Sequence, residues 1–281
     1  MMKLDTKKKL GKLIRSIIFA LCMIIFISPL FIMISSSLKT YNELTLWPPK
    51  LIGFEAQWSN YLDVLQGETS ILPALKNSLI VSISSSVICV SFGVLAAYAV
   101  TRFEFKGRSL FLFAILATQL FAAILLVNPM YIIFRDLGIL NTLLALIIAN
   151  TAVCLPMTVW LLYSYLSSIP LALEEASFLD GCSRLQSIVH ILVPLLIPGI
   201  ISAGLFAFIM SWGDIIFANT FIFDSNLQPI SIKLINFRSL YQTRWELQLA
   251  AGLIASIPVF ILFMFIQKHL VKNMAFSGIK S

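Results

Sequence analysis

Two adjacent carboxylates, Glu174 and Glu175, and an Asp180-Gly181 pair stand in a polar stretch between two long apolar runs. Neither His190 nor His269 lies within an apolar run beside a carboxylate and a nucleophile, so no catalytic constellation is visible. Cys22, Cys89, Cys154 and Cys182 have no zinc or redox spacing and read as small apolar filler. No metal site is expected, and no Gly-x-x-x-x-Gly-Lys sequence is present to hold a nucleotide. Energy from ATP would have to reach this chain through another one. Asp214 is different: a carboxylate near the end of an apolar run is a candidate proton carrier, which supports a proton-coupled secondary transporter as an alternative.

The stretch that holds the paired acids, Glu174 to Pro194, reads as two short helices. Pro170 suits a first helical position. Glu174 and Glu175 fall near the positive end of the first helix, and Gly181 suits the left-handed residue that ends it. Ser183 with Gln186 matches a capping box. Leu185, Ile188, Val189 and Leu192 form one apolar stripe at helical spacing. Such a pair could lie on the bilayer surface. Interfacial helices favour basic residues, however, and this stretch has only Arg184 against three acids. An acidic, capped helix suits a basic protein partner better than anionic lipid.

The elements that must hold this loop are membrane spans. The chain is 59% hydrophobic and 12% charged, against about 25% charged in soluble domains. Six apolar runs reach the roughly 20 residues a spanning helix needs: 14–37, 77–100, 110–134, 143–166, 198–218 and 247–267. They lack the alternation of barrel strands, so the expected class is all-α, a polytopic membrane protein with six transmembrane helices and a two-helix cytoplasmic coupling loop. The expected organisation is a basic tail at 1–13, a membrane domain at 14–268 with the loop at 169–194, and a tail at 269–281. The first run is too long for a cleaved leader and is read as a retained helix. With both termini inside, 13 of the 20 Lys and Arg but only 5 of the 13 acids face the cytoplasm. That is the positive-inside pattern, and it explains the net charge of +7 without a nucleic-acid partner.

The loop after the first run carries Trp47 and Trp58 as interfacial anchors, and its Pro and Gly residues argue against a long helix there. The second run is rich in Ser and small residues, which suit close helix packing or a pore wall. Polar residues at membrane depth line a pathway or bond between helices. The candidates for lining a substrate pathway are Gln119, Asn128, Asn150, Trp212, Asp214 and Asn219.

Glu175-Ala176-Ser177, Gly181 and Ile191-Leu192-Val193-Pro194 resemble the permease motif of bacterial ABC importers: Glu-Ala-Ala, three residues, Gly, nine residues, Ile-x-Leu-Pro. Ser177 and Val193 depart from it while keeping its spacing. Asn77-Ser78, the run Ala96 to Phe103 with Phe105 to Arg108, Ile169-Pro170 and Ser211 to Asp214 are similar to the second permease of carbohydrate importers, the maltose-type branch. Gln267, Gly278 and Lys280 in the tail match it only loosely. The resemblance implies an importer in the bacterial cytoplasmic membrane, multi-pass and not itself an enzyme. It implies as partners a second, different permease, two ATP-binding subunits that carry ATP and Mg, an extracytoplasmic solute-binding protein and the lipid bilayer. This chain would bind no cofactor. It further implies that Glu174, Glu175, Ala176, Ser177, Asp180, Gly181, Ile191 and Pro194 couple to the ATPase, Glu175 pairing with a basic residue there. The cargo would be a sugar or oligosaccharide; a polyamine, a phosphate ester or a peptide is the alternative within the same fold. In that branch the C-terminal tail reaches between the ATPases, a role that the departures in this tail put in question for Phe276 to Ser281.

Overall fold

The computed structural model describes residues 2–48, 50–51, 53, 55–66, 69–238 and 243–277. Gly278 and Lys280 lie outside them. Among the described residues the chain is helical, apart from one isolated bridge between Arg238 and Thr243. The helices are α1 (Met2–Ser37), α2 (Tyr41–Thr45), α3 (Ser59–Gln66), α4 (Leu72–Arg102), α5 (Arg108–Thr118), α6 (Ile124–Asp136), α7 (Leu143–Ser167), α8 (Ala172–Leu179), α9 (Arg184–Ser187), α10 (Val193–Trp212), α11 (Ile216–Phe221), α12 (Ile230–Ile235) and α13 (Trp245–Ser277). A π-helical turn, Ile188–Leu192, joins α9 to α10.

Among the described residues, five helical stretches are long and apolar enough to cross a membrane: 11–37, 72–102, 143–167, 184–212 and 245–267. The expected third span is broken into α5 and α6 around Gln119–Ala123. At 11 and 13 residues, these helices measure about 16 and 20 Å. Neither alone covers a hydrocarbon core of about 30 Å. Pro129 inside α6 adds a site without an N–H donor. The short α2 and α3 are the only helices described between α1 and α4, in line with the Pro and Gly content there.

The chain divides into two compact units, residues 1–70 with 234–254, and 71–233 with 255–281. In the first unit the apolar side chains of α1 from Leu13 to Phe31 are mostly exposed, as suits a helix meant for lipid or another subunit. Trp47 and Trp58 are exposed as well. Asn60 on α3 is buried and donates to the carbonyls of Ser37 (2.9 Å) and Lys39 (3.0 Å), fixing the turn that leaves α1.

The second unit is built on α4, α7 and α10. Lipid is as apolar as leucine, so close packing and hydrogen bonds must hold such helices together. Gly93 on α4 faces Thr158 and Leu162 of α7 so closely that a Cβ would lie 2.9 Å from Leu162. Gly199 on α10 meets the Tyr165 ring in the same way, at 2.7 Å. Ser85 donates to the Ile147 carbonyl (3.3 Å) and Ser86 to the Gly204 carbonyl (2.8 Å). These serines of the second run therefore bond between helices. Asn77 donates to the Asn226 carbonyl (2.7 Å), and Ser78 accepts from the Ile230 N–H (2.8 Å). Asn141, at φ +59°, donates its own N–H to the Phe221 carbonyl and accepts from Phe223 and Asp224, so one residue stitches the turn before α7 to the segment after α11.

Candidate functional site

The loop after α7 is assembled from short-range signals. Helix α8 begins at Ala172, with Pro170 just before it rather than in its first turn. It ends in a Schellman arrangement: the Cys182 N–H reaches the Ser177 carbonyl (3.0 Å) and the Gly181 N–H the Phe178 carbonyl (3.1 Å). Gly181 takes φ +87°, the left-handed conformation that this closure requires. Ser183 and Gln186 form the expected capping box on α9, with Gln186 Oε1 accepting the Ser183 N–H at 2.8 Å.

The second half of the loop is not a separate short helix. Helix α9 runs through the π turn directly into α10. Pro194 lacks an N–H and crowds the carbonyl four residues before it, and a wide turn is one way to absorb that. The π turn also shears the expected apolar stripe. Leu192 is buried and Ile188 half-buried, while Leu185 and Val189 stay exposed.

The two glutamates are sorted to opposite sides. Glu174 is only 2% exposed. Its Oε2 accepts from Arg102 Nε at 2.7 Å, and its Oε1 accepts from the Tyr98 hydroxyl at 2.6 Å. Arg102 also donates to the Ile169 carbonyl (3.2 Å). Phe103 lies edge-on to Tyr98 (5.9 Å), and the Arg184 guanidinium sits 5.1 Å from the Phe103 ring centre. The last turn of α4 thus grips α8 through a buried carboxylate. The expectation that Glu174 shares an exposed acidic face is corrected: its carboxylate is spent inside the chain. Glu175, Ala176 and Asp180 are exposed, and so is Leu179, at 89%.

Ser177, where the motif has Ala, is buried. Its hydroxyl lies 2.7 Å from the Glu174 carbonyl and 2.8 Å from the Ser187 hydroxyl. The departure therefore has a physical role, a hydroxyl contact between α8 and α9. Ile191 is half-buried and Pro194 exposed. Sequence reasoning missed Tyr98 and Arg102, although their four-residue spacing puts both on one helical face.

The six polar pathway candidates do not converge. Asn150 is buried and donates to the Leu146 carbonyl (3.0 Å) and to Asp214 Oδ2 (3.3 Å). Asp214 also accepts from the N–H groups of Phe217 (3.1 Å) and Ala218 (3.2 Å), so it caps the first turn of α11. Trp212 stacks on Phe208 at 5.5 Å. Gln119 sits at the break between α5 and α6 and donates to the Val153 carbonyl (3.3 Å), while Asn128 and Asn219 are exposed. Only Asn150 and Asp214 are joined. Among the described residues no cluster of three or more His, Cys, Asp or Glu could hold a metal.

Long apolar helices packed through glycine and serine, with a capped and partly acidic helix at one end, define a polytopic helical membrane protein. Residues 89–276 match the family model of the binding-protein-dependent transport system inner membrane component. The chain belongs to that family. It is a transport subunit of the inner membrane and not an enzyme. It is 34% identical over 264 residues to the inner membrane ABC transporter permease protein YcjP of Escherichia coli, covering 93% of this chain and 94% of that one. It is 34% identical over 232 residues to the trehalose/maltose transport system permease protein MalG of Thermococcus litoralis, covering 82% and 84%. The fold is similar, with a TM-score of 0.78 and 22% identity, to a chain in the crystal structure of a bacterial ABC transporter involved in the import of the acidic polysaccharide alginate, covering 92% of this chain and 96% of that one.

Proposed function

We propose that this chain is the permease subunit of an ATP-driven importer for a sugar or oligosaccharide, and that the loop 169–194 couples it to a separate ATPase. The observation that carries the coupling reading is the sorting of the glutamates. Glu174 anchors α8 from within, which leaves Glu175 exposed on the same short helix for a basic partner. A charge held on a braced helix transmits displacement better than one on a free loop. Likeness to relatives such as the trehalose/maltose permease favours a carbohydrate over a polyamine, phosphate ester or peptide.

In this reading the loop is cytoplasmic, both termini lie inside, α5 and α6 together make one crossing, and residues 14–268 form the membrane domain. The partners are a second permease, two ATP-binding subunits that hold ATP and Mg, and a solute-binding protein outside. ATP-driven closure of the ATPases moves α8. Because Glu174 ties α8 to Arg102 and Tyr98, α4 moves with it, and α7 and α10 follow through their packing on α4.

The test is Glu175→Lys in the purified permease. Expected is loss of ATPase association in a pull-down, with membrane insertion and apparent thermal midpoint unchanged. Unchanged ATPase binding and unchanged transport would remove the coupling role from Glu175.

A further inference from the structure

The first unit holds a polar arrangement that the coupling loop does not use. Glu246, in the first turn of α13, is 3% exposed. Arg244 Nε donates to its Oε1 at 2.5 Å. Its Oε2 is buried and has no hydrogen-bond partner among the described residues. Burying a carboxylate is costly, and the ion pair with Arg244 offsets that cost.

Glu246 lines a cavity of about 500 Å³ together with Asn60, Gln57, Tyr41, Asp63 and Arg244. That volume falls within the roughly 300–1,000 Å³ of small-molecule sites. Unlike most such sites, this one has only polar residues in its wall. The floor is fixed, because the Asn60 amide nitrogen is held by two backbone carbonyls. Asp63 and Arg244 stand exposed at the rim.

The lining chooses among ligand classes. An apolar ligand would strand the polar wall. An anion would meet the carboxylates of Asp63 and Glu246. A compact cation would meet the Arg244 guanidinium. A neutral, hydroxyl-rich ring satisfies all three, because each hydroxyl both donates and accepts. The exposed Asp63 carboxylate takes an O–H, Arg244 keeps N–H groups for a ring or hydroxyl oxygen, and the buried Glu246 holds Arg244 in place.

We propose that this cavity is a saccharide subsite, distinct from the polar residues of α7 and α11. The proposal rests on the sugar-importer reading. Under the orientation of that reading the lining residues lie outside the membrane, so the subsite would meet the sugar before it enters the spans.

The experiment uses the full complex in right-side-out vesicles, without binding protein in the labelling step. Import is first measured, with binding protein, for a panel of neutral mono-, di- and oligosaccharides. Import of none of them overturns the sugar reading and, with it, this proposal. With an imported saccharide as probe, labelling of Ser59→Cys by an impermeant maleimide is compared with labelling of Glu55→Cys. Ser59 lines the cavity and Glu55 does not. Expected is at least fivefold slower labelling of Ser59→Cys and no change at Glu55→Cys. Adding Glu246→Gln or Asp63→Asn is expected to abolish most of that protection, while Glu55→Cys labelling in the same backgrounds reports an intact fold. No protection by an imported saccharide, or equal protection by putrescine, overturns the subsite while leaving the sugar reading intact.

Discussion

Arg102 and Glu174, 72 residues apart in sequence, meet as a buried ion pair at 2.7 Å, with side chains 9% and 2% exposed. The pair joins the end of α4 to the start of α8. Removing one partner of such a pair costs about 3–5 kcal/mol, because the other charge is left buried and alone. Replacing both by apolar groups of similar volume is often neutral. Arg102→Met is therefore expected to lower the apparent thermal midpoint of the purified permease by several degrees. Arg102→Met with Glu174→Leu is expected to recover most of that loss, yet transport should stay impaired, since the brace on α8 is weakened. A double variant no more stable than the single one would show that burial, not pairing, sets the energetics.

Ser177 gives a finer probe of the same loop. Its hydroxyl contacts Ser187 at 2.8 Å in a buried site. Ser177→Ala leaves the Ser187 hydroxyl without that partner, at about 1–3 kcal/mol. Ser177→Ala with Ser187→Ala removes both groups and is expected to cost less than the single change. Hydrogen exchange of the α8 amides reads the difference: faster in the single variant and nearer wild type in the double. Equal exchange in all three would mean the contact holds nothing.

What could be read from the chain divides by range. Gly181, and Ser183 with Gln186, act within a few residues, so their spacing alone predicted the turn and the cap that form. The apolar runs gave the long helices because span length is a local property. The break at Gln119–Ala123 was hidden, since Phe, Leu and Ala there read as an uninterrupted helix. The fate of Glu174 was hidden for a different reason. Two adjacent glutamates look alike in sequence, and only the placement of Tyr98 and Arg102, brought by another helix, separates them. The exposed face of α8 was therefore half right: Glu175 and Asp180 outside, Glu174 inside. Asn141 carried no motif, because its partners come from a segment about 80 residues away.

Gly199 tests how the spans are held. A Cβ there would sit 2.7 Å from Cγ of Tyr165. Gly199→Ala forces α10 away from α7 or the ring out of its rotamer, at about 1–3 kcal/mol. Expected is a lower thermal midpoint of the detergent-purified permease. Tyr165→Leu in the same chain should restore part of it by clearing the contact. A Gly199→Ala variant as stable as wild type would show that the two helices can separate freely.

Asp214 decides between a structural and a proton-carrying carboxylate. It accepts N–H bonds from Phe217 and Ala218 and one from Asn150, so both oxygens already have donors. Asparagine caps a helix about as well as aspartate, whereas alanine costs about 0.5–2 kcal/mol. Asp214→Asn is therefore expected to keep ATP-driven uptake in proteoliposomes within about twofold of wild type. Asp214→Ala should lower the thermal midpoint and reduce uptake in proportion to the folded fraction. An imposed pH gradient should change neither. If Asp214→Asn kept the wild-type midpoint but abolished uptake, or if a pH gradient drove uptake without ATP, the carboxylate would have a transport role that its hydrogen bonds do not explain.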